Sequence, residues 1–138
     1  MSELRVERHL SASPDRVWRA FTSADALSEW LWPPAFATFA ATDPRVGGRY
    51  RIASEVAGMA VSGEYVSVDE PRGLVQTWQW DGESGQTLVT VTIDPEGDGT
   101  LLTVVHERFD TSDERDSHIQ GWNDCLDRLE PYLAGYPS

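Results

Sequence analysis

The sequence predicts an α+β fold, an antiparallel sheet covered by one long C-terminal helix, on three observations. From Thr111 to Leu133 the apolar residues Ile119, Trp122, Leu126, Leu129 and Leu133 recur at alternating spacings of three and four, the period of one helical face. From Phe36 to Phe109, short segments of alternating apolar and polar residues are separated by turns rich in Gly, Pro and Asp. None of those connections has room for a helical crossover, so neighbouring strands are expected to run antiparallel.

Glu3 to Leu10 keeps Leu4, Val6 and Leu10 in one phase and reads as a half-buried first strand. Ser13 followed by Pro14 is a helix start, and Val17, Trp18 and Phe21 supply that helix with an apolar face. Ser23 caps a second short helix through Leu27 and Trp30, which Trp32-Pro33-Pro34 stops because a residue before proline is pushed out of the helical region. Strands are expected at Phe36 to Ala41, Arg49 to Ser54 and Met59 to Val68. The last changes parity near Gly63, which suggests a bulge. Leu74 to Trp80 places Leu74, Gln76, Trp78 and Trp80 on one face, and Thr87 to Ile93 and Leu101 to Phe109 flank a hairpin loop at Asp94 to Gly99. The final helix opens with Thr111-Ser112-Asp113-Glu114, a capping box, and is expected to kink or end at Pro131, which lacks an amide hydrogen.

A chain of 138 residues, 40% apolar and 25% charged, predicts one domain spanning 1–138. No apolar run is long enough to insert into a membrane, and the alternating charges of Met1 to Leu10 are unlike a signal or transit peptide, so a cytoplasmic protein is expected. The net charge of -12, with eleven Arg and no Lys, repels a nucleic-acid backbone; Arg45, Arg49 and Arg51 are too few to reverse that. The lone Cys125 lies on the apolar helix face and reads as a small buried hydrophobe. Three scattered histidines offer no metal-ligand spacing, and no phosphate-binding, dinucleotide or nucleophile-elbow motif occurs, so neither a metal nor a cofactor is expected.

Gly63-Glu64-Tyr65-Val66-Ser67-Val68-Asp69-Glu70-Pro71-Arg72-Gly73-Leu74-Val75-Gln76-Thr77-Trp78 resembles the central signature of homologues of the activator of the heat-shock protein 90 ATPase, within the START-related (SRPBCC) superfamily. Ala12-Ser13-Pro14 through Trp18, Leu27-Ser28-Glu29-Trp30, Gly99-Thr100-Leu101 through His106, and His118 through Leu129 are similar to other segments of that family, in order, so the likeness runs from about Leu4 to Leu133. It implies a helix-grip fold: a curved antiparallel sheet of about six or seven strands wrapped around the long C-terminal helix, with two short helices after the first strand. It also implies a cavity between sheet and helix for an apolar ligand. One fold hosts many activities, so function has to be argued from the site. The chain reads as a free-standing domain without the separate N-terminal domain of those activators, which turns the expectation away from a chaperone regulator.

The six tryptophans are the candidate site's main signal, since aromatic walls with a few polar handles are what pockets for small apolar ligands present. The expected ligand contacts are Trp30, Phe36, Met59, Trp78, Trp80, Val104, Trp122 and Leu126, with Gln76, His106 and His118 as polar handles. The leading expectation is therefore binding of a small apolar or aromatic molecule, with no catalytic residue assigned. Two alternatives stand beside it: a co-chaperone-like regulator of a heat-shock protein 90 type ATPase, and a cyclase or hydrolase using His106 or His118 as acid or base. A chaperone or other protein partner and a homodimer are further candidate assemblies.

Overall fold

A computed structural model describes residues 2–135. In chain order the elements are β1 (Ser2–Leu10), α1 (Pro14–Thr22), α2 (Ala24–Trp30), a 3-10 turn (Pro34–Phe36), β2 (Phe39–Thr42), β3 (Arg49–Ser54), β4 (Met59–Asp69), β5 (Gly73–Trp80), β6 (Thr87–Glu96), β7 (Gly99–Phe109) and α3 (Ser112–Gly135). The seven strands form one open antiparallel sheet in the order β1-β7-β6-β5-β4-β3-β2. With α3 packed on it, this is the α+β helix-grip architecture expected.

The caps behave as their residue types dictate. The Ser13 hydroxyl accepts from the Arg16 amide ahead of Pro14, and Ser23 closes α1 while its hydroxyl accepts from the Ala26 amide to open α2. Thr111 caps α3 by accepting from the Glu114 amide at 3.1 Å. Pro131 does not end this helix, which runs on to Gly135. A proline so near the end removes one backbone bond, while buried Leu129 and Leu133, and the Arg16 guanidinium donating to the Leu133 carbonyl, hold the last turns in place.

Other boundaries move for local reasons. The strand expected from Phe36 starts only at Phe39: Pro34 to Phe36 form a 3-10 turn, and Ala37 is left-handed (φ 48°). The β6–β7 hairpin is tighter than expected, pairing Glu96 with Gly99 around Gly97 at φ 59°. In β4 the register shift falls between Tyr65 and Ser67, leaving Val66 half exposed, whereas Gly63 lies where the strand presses on β5. A Cβ at position 63 would sit 2.0 Å from the Thr77 carbonyl oxygen. Gly63→Ala is thus expected to destabilise the fold by about 1–3 kcal/mol through overpacking, and a urea midpoint matching the wild type would disprove that close approach.

A second irregularity had no sequence signal. Arg108 is left-handed (φ 75°), and the β1–β7 register skips it, so Ser2 pairs with Phe109 and Glu3 with Glu107. The bulge turns Phe109 inward beside His106, where both are fully buried.

Candidate functional site

The site is built where β5, the α2–β2 connection and the first half of α3 meet. Strand parity sends Gln76, Trp78 and Trp80 of β5 inward, and the helical period sends His118, Trp122 and Cys125 of α3 toward them. Trp32, Pro33 and Phe36 arrive from the segment after α2; the buried Ser54 hydroxyl fixes Phe36 by donating to its carbonyl at 2.6 Å. Between these elements lies an open cleft of about 390 Å³.

Its aromatic rings form a continuous chain. Trp32 stacks on Trp80 at 6.2 Å and 17°, Trp80 meets Trp78 edge-on at 5.7 Å, and Trp78 lies 5.5 Å from Trp122. Trp78 and Trp122 therefore close the expected hollow between sheet and helix. The void beneath them, beside Gln76, Tyr50 and Tyr65, is only about 20 Å³. The usable space sits at the mouth, on the outer side of that pair.

Behind the rings, two imidazoles are held in opposite tautomers by what they bond. His106 Nδ1 accepts from Trp122 Nε1 at 3.0 Å, so its proton is on Nε2, which donates to the Thr87 hydroxyl at 2.6 Å; that hydroxyl donates on to the Trp78 carbonyl. His118 Nε2 accepts from Trp80 Nε1 at 3.0 Å, so its Nδ1 carries the proton and donates to the Glu114 carbonyl. The rings are 5.0 Å apart. Burial, reinforced by neighbouring His118, pushes the His106 pKa down to about 3, so this ring is neutral at physiological pH. With both nitrogens of each ring committed, neither histidine offers a free acid or base to the cleft. Burial likewise pushes the Cys125 thiol up to about 11, which makes it a poor nucleophile.

The expected contacts therefore divide. Phe36, Met59, Trp78, Trp80, His118 and Trp122 line the cleft. Trp30, Val104, His106 and Leu126 do not: all are buried to 1% or less, Trp30 packing edge-on against Phe21 and donating to the Ala20 carbonyl. Gln76 lines the small inner void instead. Periodicity gave these residues the right face but not their depth. Missed were Trp32, Pro33, Ser117, Gly121, Asp124, Cys125 and Arg128. Trp32 and Pro33 lie in an aperiodic segment, and Asp124 and Arg128 are polar residues beside the apolar stripe, so a search for apolar phase passes over them.

Among the described residues no cluster of three or more His, Cys, Asp or Glu could hold a metal ion, and no helix is long and apolar enough to cross a membrane. Residues 11–134 match the family described as Activator of Hsp90 ATPase homolog 1-like protein. The chain belongs to this family. Solved structures share the architecture. Protein CV1439 from Chromobacterium violaceum is 28% identical with a TM-score of 0.82, covering 95% of this chain and 96% of that one. Protein MLL2253 from Mesorhizobium loti is 25% identical with a TM-score of 0.86, covering 99% and 100%. CalU16 from Micromonospora echinospora is 26% identical with a TM-score of 0.76, covering 94% of this chain and 74% of its own. No curated protein matches. The family found is the one the residue pattern resembled, and its matched span takes in every element from α1 to α3, including the cleft.

Proposed function

We propose that this member of the Activator of Hsp90 ATPase homolog 1-like family binds a small apolar or aromatic molecule in the mouth cleft. The cleft itself carries the reading: its volume of about 390 Å³ lies within the roughly 300–1,000 Å³ of small-molecule sites, and Trp32, Phe36, Met59 and Trp80 present apolar surface to it. A flat ring entering there gains offset-stacked or edge contacts along the indole chain. Binding is favoured over catalysis because both nearby imidazoles are spent on protein partners and Cys125 stays a thiol.

A panel of lipophilic and aromatic compounds screened by thermal shift tests the proposal. A ligand present at about 100 times its Kd should stabilise the fold by about 2.7 kcal/mol. Trp80→Ala, which removes a half-buried wall ring, should weaken any binder about tenfold or more. A panel that neither shifts the melt nor perturbs tryptophan emission would sink the reading.

A further inference from the structure

Arg128 stands out among the groups that line the cleft. It is half-buried at the edge of the α3 stripe, and two backbone carbonyls at the end of α2 hold it: Nε donates to Trp30 O at 3.2 Å and Nη2 to the O of Leu31, the capping residue, at 2.7 Å. Nη2 also lies 3.7 Å from Cys125 Sγ, while Nη1 has no acceptor among the described residues. Although acidic residues outnumber arginines 23 to 11, no ion pair among the described residues includes Arg128. Asp124, one helical turn away on the same wall, is engaged by Gln120 Nε2 at 3.0 Å instead.

Carbonyl dipoles fix the guanidinium in place without cancelling its charge as a carboxylate would. The result is a cation with two N–H donors to spare, set at the edge of an aromatic cleft. Such a group discriminates among ligands: an apolar body satisfies the rings alone, and one carrying a carboxylate also meets Nη1 with a charge-assisted hydrogen bond. The net charge of -12 opposes anions at long range, but with a Debye length of about 8 Å at physiological salt that opposition comes chiefly from near neighbours, of which Asp124 lines the cleft.

We propose that the cleft selects an amphipathic organic anion, an apolar or aromatic body bearing one carboxylate, and that Arg128 receives the carboxylate. This specificity rests on the binding reading above. The test compares 2-naphthylacetate with 2-naphthylacetamide, matched in shape and differing in charge, by titration calorimetry on the full chain. The wild type should bind the acid about tenfold more tightly than the amide. Arg128→Gln should bring that ratio near one, Arg128→Lys should keep part of it, and Asp124→Asn should raise it. Equal binding of both probes by the wild type overturns the anion preference and leaves the cleft reading intact, whereas binding of neither overturns both. Should Arg128→Gln fail to fold, Asp124→Asn decides: a raised ratio supports the assignment and an unchanged one refutes it. An Arg128 that merely capped α2 would leave the acid-to-amide ratio unmoved.

Discussion

Trp122→Ala is expected to cost about 4 kcal/mol of folding stability, read as a lower urea midpoint, because two separate losses coincide at one side chain. The first is volume. Trp122 is 6% exposed, packs 5.5 Å from Trp78, and with it forms the barrier between the cleft and the inner void. Truncation joins the two spaces, and the surrounding rings, anchored on β5 and β7, cannot collapse fully into the gap. The second loss is polar, since Trp122 Nε1 is the donor to His106 Nδ1 and its removal leaves a buried acceptor unpaired. Trp122→Phe separates the two: it keeps most of the packing and loses the donor, so it should cost only about 1–2 kcal/mol. An alanine variant within about 1 kcal/mol of the wild type would show that the helix is held by Leu126, Leu129 and Leu133 alone.

Acidification should weaken the fold through His106. Its folded-state pKa of about 3 lies below the ordinary 6.5, so between those values the unfolded chain binds a proton that the native state refuses. Stability from this group is complete above pH 6.5 and drains away as the pH falls toward 3, with a slope approaching 1.4 kcal/mol per unit and a total on the order of 5 kcal/mol. The cause is structural: a protonated ring would carry charge in a fully buried site and turn Nδ1 into a donor facing the Trp122 donor. The general repulsion of a net charge of -12 eases as acid is added and acts the other way. The comparison that isolates the histidine is therefore wild type against His106→Gln, by urea unfolding at several pH values. The variant should be less stable near neutrality, and its deficit should narrow steadily below pH 6.5. Parallel curves would mean that His106 does not titrate across folding.

The elements were legible in the sequence because each rests on a local rule. Ser13-Pro14, Ser23, the Trp32-Pro33-Pro34 stop and the Thr111 cap are written in residue types, and the phases of β5 and α3 are written in spacing. What stayed hidden depends on sums over distant side chains. Trp78, His106 and Leu126 all face inward, yet whether they border empty space depends on how much volume Trp122 brings from the other layer. The left-handed Arg108 and the 3-10 turn before Ala37 carry no glycine to announce them. Arg128 was invisible for the opposite reason: an arginine on a charged helix is ordinary, and only its carbonyl partners set it apart.

The pairing of β1 with β7 ties the first residues of the chain to residues 100–109. An emerging polypeptide can form the β3–β4 and β4–β5 hairpins from near neighbours, but Leu4, Val6 and Leu10 have no strand to join until β7 has been made, some ninety residues later. Assembly is thereby governed by its longest loop closure, which favours slow, late docking of the amino-terminal strand. Until that moment the flank of β7 is an unpaired edge, the state in which this protein most needs protection from pairing with another copy of itself.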